Sequence, residues 1–202
     1  MTVIADPGRT ALLIAGTVVA EREGLHRLSI NAVVEEAGMA KGTFYHHFVN
    51  RRSYVIALHR RFFDALSQSV AAALDGIPPG IERIGPSLDA FLDACLDARG
   101  TEAFMVQART DPDLREEIRH RHELFIAVGR PDMVAAGWPD PDAASRLKVA
   151  MVGEICLAEL TSRRPRPDLR VAAVRMLTAN LTGPVAGESP EAADGEDLGD
   201  AE

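Results

Sequence analysis

Two glycines, Gly24 and Gly38, set the terms on which the first fifty residues can fold. Each follows a stretch whose apolar residues recur at helical spacing, and glycine just past the last turn ends a helix at least cost. Before Gly24 the pattern predicts a helix over about 9–23. Between the glycines, Ser29 suits an N-cap, and Ile30, Val33, Val34 and Ala37 recur at i, i+3, i+4 and i+7. After Gly38 a short helix is expected over about 40–47. Asn50 then caps a long helix through "RRSYVIALHRRFFDALSQSVAAAL", closed by "DGIPPG". Two short helices joined by a tight turn, between longer ones, are the layout of a helix-turn-helix.

Beyond "IPPG" the sequence predicts a second, larger helical unit, with helices over about 81–99, 101–108, 112–136, 140–162 and 167–182. Asp111-Pro112 has the pattern of a cap followed by proline at the first helical position. Pro131 is expected to kink or split its helix. From about Pro184 apolar periodicity ceases, and an acidic disordered tail is expected. The fold class that follows is all-α, divided as 1–50, 51–183 and 184–202. Abundant Ala, Leu and Val with only 5% aromatics fit helices.

Several classes are disfavoured. Cys95 and Cys156 stand far apart with no CxxC, so neither a disulfide framework nor a zinc site is expected. "ALLIAGTVVA" is too short to span a bilayer and is followed at once by "EREG"; no membrane segment or targeting signal is expected, and a cytoplasmic location fits. No nucleophile–base pair, phosphate loop or carboxylate cluster is visible, so no enzyme activity, cofactor or metal is expected.

Charge is unevenly spread. Residues 1–65 hold eight Lys or Arg against six acids, a surplus of two, plus four histidines. With −8 overall, the remainder carries −10, and seven of its acids lie in "GESPEAADGEDLGDAE". The basic third centres on "AGMAKGTFYHHFVNRR", residues 37–52. On a helix, Phe44 and Phe48 share the face that packs inward with Met39. Gly42 and His46 fall opposite, flanked by Thr43 and Tyr45. Glycine at the exposed centre of a helix is costly unless something must approach the backbone. Its neighbours carry ammonium, hydroxyl, phenol and imidazole groups, able to bond phosphate oxygens or base edges. Arg51 and Arg52 sit in the first turn of the next helix, where cations oppose its dipole and an external anion would neutralise them. His46 and His47 point about 100° apart and are poorly placed to share a metal ion.

"SINAVVEEAGMAKGTFYHHFVNRRSYV" resembles the DNA-binding segment of the tetracycline-repressor (TetR) family of bacterial transcriptional regulators. The signature is "AG-x-x-KGTFY-x-HF", with asparagine two residues past the phenylalanine and then a cation. The likeness covers roughly residues 8–60. It implies an N-terminal three-helix DNA-binding unit, a larger helical ligand-binding and dimerisation domain, and repression of a palindromic operator relieved by a small organic molecule. Carried over by position, Lys41 and Gly42 open the recognition helix nearest the bases. Thr43, Tyr45 and His47 would grip backbone and groove edges, and Arg51 would hold a phosphate; Asn31 and His46 complete the candidate set. Ala40 stands where serine is usual, which removes an N-cap at a cost of about 1 kcal/mol. Arg52 stands where an acid is common.

For the effector pocket the candidates are Phe63, Phe91, Cys95, Phe104, Phe125, Met151 and Glu154. The same residues at helical spacing also suit ordinary core; the resemblance assigns them to a pocket. Dimerisation is expected through the last two helices. In "AASRLKVAMVGEICLAEL" one apolar stripe includes Leu147, Met151 and Ile155, and a second includes Val152, Cys156 and Leu160, so both faces need cover. Two other readings stay open: an activator or broad DNA binder, and a helical ligand-binding or interaction protein whose DNA binding is vestigial.

Overall fold

The computed structural model describes residues 6–179. Eight α-helices carry it: α1 Pro7–Glu23, α2 Ile30–Glu36, α3 Lys41–His47, α4 Arg51–Ala73, α5 Ile81–Asp97, α6 Arg115–Ala135, α7 Pro141–Ser162 and α8 Pro167–Thr178. No strand occurs among the described residues.

Local chemistry sets most boundaries. Asp6 caps α1 by accepting from the Gly8 and Arg9 amides at 3.0 and 3.2 Å, and Pro7 fills the first turn, where a missing N–H costs nothing. The helix therefore starts two residues before the expected position. Gly24 ends it at φ +84. Ser29 caps α2 through the Ala32 amide. Asn50 and Ser53 form a reciprocal capping box at α4. Ala40 gives α3 no side-chain cap.

Three expectations fail. Asp111-Pro112 does not open α6, which begins at Arg115 without a side-chain cap; the Asp111 carboxylate instead accepts from the Asp113 amide and faces Arg51. Pro131 does not split α6, which continues to Ala135 with Met133 fully buried among Ile84, Ala144 and Leu177. Residues 102–110 are not an α-helix but a π turn followed by a 3₁₀ turn. The last helix stops at Thr178, and the expected acidic tail lies outside the described residues.

The three N-terminal helices close over Phe44, Phe48 and Tyr54, whose ring centroids lie 4.9–5.5 Å apart. Tyr54, fully buried on α4, donates its hydroxyl to the Leu12 carbonyl at 2.6 Å. It passes so close to Gly16 that a Cβ there would sit 1.9 Å from the phenol oxygen. The core does not stop at α4: one apolar cluster runs from Leu12 through Phe62, Leu92 and Phe104 to Cys156 and Ala173. A smaller cluster around Ile84 and Leu177 closes the far end of the bundle.

A second tie crosses from the α1–α2 loop to the irregular segment. Gln107 Oε1 accepts from the Leu25 amide at 2.7 Å. Arg51 donates to the Leu28 and Leu25 carbonyls, both at 3.2 Å, and to Asp111 and Asp113, both at 3.3 Å.

Candidate nucleic-acid interface

Buried Phe44 and Phe48 hold α3 against α1, α2 and α4, which fixes what faces outward. Lys41, Gly42, Tyr45 and His46 are exposed, and Thr43 is half-buried. Tyr45 sets its ring edge-on to Phe44 at 5.6 Å, so the phenol is oriented from below while half of the side chain meets solvent. A Cβ built on Gly42 would meet nothing within 4 Å, and Gly42 has no positive φ. Neither backbone conformation nor internal packing accounts for glycine here. Asn31 is exposed in the first turn of α2.

Two residues of the expected set are placed differently. His47 turns toward the start of α1: Nδ1 lies 3.1 Å from Asp6 Oδ2, and Nε2 lies 2.8 Å from where a Cβ on Gly8 would be. It joins α3 to α1 and offers little to a groove. Arg51 is committed to two backbone carbonyls and two carboxylates within the chain, so its geometry is that of a tie between the two halves and not of a phosphate contact. The sequence could not show this because its acidic partners lie 60 and 62 residues away. Arg9 was not among the candidates, yet α1 brings its guanidinium over the Phe48 ring at 5.1 Å, at the end of α3. The amides of Arg9 and Gly8, with the nearby His47, hold the Asp6 carboxyl below its ordinary value.

The expected pocket residues divide. Phe63 packs on Phe62 and Phe125 at 5.2 and 5.8 Å, Phe62 on Phe104 at 5.2 Å, and Phe91 on Phe125 at 5.9 Å. Met151 is half-buried between both clusters. Cys95 is buried but also lines a surface groove with Gly24, Thr101 and Gln107. Glu154 is exposed, against the expectation. The buried carboxylate of α7 is Glu159, which accepts two hydrogen bonds from Arg170 and one from the Arg166 amide. The notable polar group is one the sequence did not suggest. His59 on α4 and Glu117 and Arg121 on α6 are all buried, and His59 Nδ1, Glu117 Oε1 and Arg121 Nε have no hydrogen-bond partner among the described residues. Burial pushes the His59 imidazole down to about 4; Glu117 opposes that shift, and Arg121, His122 and Arg60 reinforce it. Arg121 also stands over the Phe63 ring at 5.8 Å.

Among the described residues no three His, Cys, Asp or Glu form a group fit for a metal ion, and no helix is long and apolar enough to cross a membrane.

Residues 12–58 match the profile described as bacterial regulatory proteins, tetR family. The HTH-type transcriptional regulator UidR of Escherichia coli K12 is 23% identical over 160 residues, covering 76% of this chain and 78% of UidR. The HTH-type transcriptional repressor KstR2 of Rhodococcus jostii RHA1 is 40% identical over 72 residues, 33% of this chain and 35% of KstR2. Among solved structures, the transcriptional regulator FadR of Bacillus subtilis, crystallised with stearoyl-CoA, aligns with a TM-score of 0.72 at 13% identity, over 84% of this chain and 97% of FadR. With the helix-turn-helix of α2 and α3 in place and its outer face built from Lys41, Thr43, Tyr45 and His46, residues 12–58 form a DNA-binding domain of the tetR family type, and the chain is a DNA-binding transcriptional regulator.

Proposed function

We propose that the chain is a repressor that reads a palindromic operator through the exposed face of α3 and is released from it by a small organic effector. The carrying observation is Gly42: an uncovered backbone among Lys41, Thr43, Tyr45 and His46, with no internal reason to be glycine. A duplex approaching that close supplies the reason. The reading divides the chain into a DNA-reading unit of about 1–50, a sensing and dimerising unit of 51–183 and an acidic segment of 184–202, with no catalytic role and a cytoplasmic location.

Gly42→Ala tests it. Gly42 is the second residue of α3, not its centre; alanine is at least as good a helix former there, and no neighbour obstructs it. The expected result is a protein at least as stable as the parent that binds its own upstream DNA at least tenfold more weakly. Unchanged affinity would remove α3 from the interface.

For the effector, His59, Glu117 and Arg121 beside Phe63 and Phe125 favour a largely apolar molecule with one hydrogen-bonding group. The stearoyl-CoA held by FadR is consistent with a long apolar body. A ligand that binds tightly yet leaves operator affinity unchanged would refute the coupling, since only differential affinity shifts an equilibrium.

Dimerisation through α7 and α8 is supported by their uncovered faces: Leu147 is 60%, Val171 48% and Met176 62% exposed. Val152, in the second of the two stripes and expected from sequence to face a partner, is half-buried against the core. The outward positions are Leu147 and Ala150 on α7 and Val171, Ala172 and Met176 on α8. A twofold pairing there suits a palindromic site.

A further inference from the structure

Between α1 and α4 runs an open groove of about 600 Å³. Leu13 and Ile56 contribute apolar surface, and Arg9, Arg60 and Arg61 bring cations. Two carboxylates partly offset them: Asp64, which also lines the groove and accepts from Arg121 at 2.9 Å, and Glu117 behind it, which accepts from Arg60 at 2.7 Å. Four arginines against two carboxylates leave a surplus of two positive charges. Arg61 is lightly engaged among the described residues, through a 3.5 Å contact to the Thr10 carbonyl. At one end, Arg9 lies over the Phe48 ring, within the DNA-reading unit and beside the end of α3.

The groove has a complementary sequence in its own chain. Residues 180–202 contain seven carboxylates and no Lys, Arg or His, and "EDLGD", 196–200, sets one leucine among three acids. An apolar residue flanked by carboxylates matches an apolar surface flanked by guanidiniums. Reach is sufficient. α8 is fixed near its end by Trp138 Nε1 donating to the Leu177 carbonyl, beside Ile84 at the start of α5. The 23 residues of α4 span roughly 35 Å at 1.5 Å each. Asp197 is eighteen residues beyond Ala179, which allows up to roughly 60 Å of extended chain.

We propose that the acidic segment Glu188–Glu202 docks within its own chain in the arginine-lined groove between α1 and α4 and there competes with the phosphate backbone of DNA. This rests on the DNA-binding reading, but its first test does not. A fluorescent peptide of residues 184–202 is titrated into the full chain whose seven tail acids are amides (Glu188→Gln, Glu191→Gln, Asp194→Asn, Glu196→Gln, Asp197→Asn, Asp200→Asn, Glu202→Gln). Anisotropy should rise at low salt, and the rise should be lost at high salt and with Arg61→Glu. The second test compares parent and amide variant on a duplex of unrelated sequence. With an effective concentration on the order of 1 mM for a tethered segment and a peptide Kd of about 0.3 mM, the amide variant should bind about fourfold tighter. That gap should shrink in Arg60→Gln/Arg61→Gln protein of unchanged circular dichroism. A gap of the same size in that background would mean diffuse repulsion, and docking would be wrong. A peptide that does not bind, or that binds Arg61→Glu equally well, overturns the proposal, as does a tail that instead raises the mass of the parent with concentration. If neither protein binds DNA, the DNA-binding reading fails, and the peptide titration still decides the docking.

Discussion

Replacing Arg51 by alanine separates two roles that one arginine cannot easily combine. In the structure its guanidinium makes four hydrogen bonds, all 3.2–3.3 Å, to Leu25, Leu28, Asp111 and Asp113. Asp111 is the costly partner: its side chain is 4% exposed, and without Arg51 the donor left to it among the described residues is the Asp113 amide. Hydrogen bonds to charged groups contribute about 1.5–3 kcal/mol net, and stranding a buried carboxylate costs more. The contacts are long and the arginine is 33% exposed, which weakens the ion pairs by screening. Loss of about 2 kcal/mol is the resulting expectation, or a melting point lower by roughly 4–8 °C for a chain of this size. The tie lies inside the chain, so the slope of log K against log salt for operator binding should not change. A phosphate contact predicts the reverse: unchanged melting, and a slope shallower by about 0.9 per contact. Differential scanning fluorimetry and a salt series on the same preparation measure both. Melting within a degree of the parent, with a shallower slope, would refute the tie.

Gly16→Ala should destabilise by about 2–3 kcal/mol, because its methyl would overlap the Tyr54 hydroxyl and crowd Leu58; an additional Tyr54→Phe change should recover part of the loss in urea melts. His59 is held neutral by burial, with its folded value at about 4. Its contribution is therefore present above the ordinary imidazole value near 6.5 and falls as pH drops toward 4, by up to about 3 kcal/mol. His59→Gln should flatten the pH dependence of unfolding in that window; an unflattened curve would place the acid sensitivity elsewhere. Leu147→Glu with Met176→Glu charges exposed positions and should leave helicity intact while halving the mass seen by light scattering. A parent already at 21.8 kDa would exclude the dimer.

What the sequence revealed was governed by neighbours a few residues apart. Ser29 and Asn50 are read as caps because their acceptors serve amides three residues on. Phe44 and Phe48 are read as inward because one helix turn separates them. Asp111 was misread for the opposite reason. Beside Pro112 it has the form of a cap, but its carboxylate is engaged by a guanidinium from the start of α4. The His59, Glu117 and Arg121 group was invisible, since only the packing of α4 on α6 brings those residues together. Glu154 and Glu159 show the limit of helical periodicity: both lie on α7, and the donors that Arg166 and Arg170 bring to Glu159 go with its burial while Glu154 stays exposed.

The apolar cluster that passes unbroken from Leu12 into α5, α7 and α8 bears on how such a molecule can be re-engineered. A hybrid made by joining residues 1–50 to a foreign sensor would leave behind Tyr54, Val55 and Leu58, which form the floor of the three short helices. It would also leave the Leu25 amide and the Leu28 carbonyl without Gln107 and Arg51. The transplantable module is therefore discontinuous in sequence: α1 to α3, the first half of α4, and the irregular stretch of 107–113. A graft that carries all three keeps those polar ties, and the foreign sensor must then supply an apolar wall to complete the shared cluster.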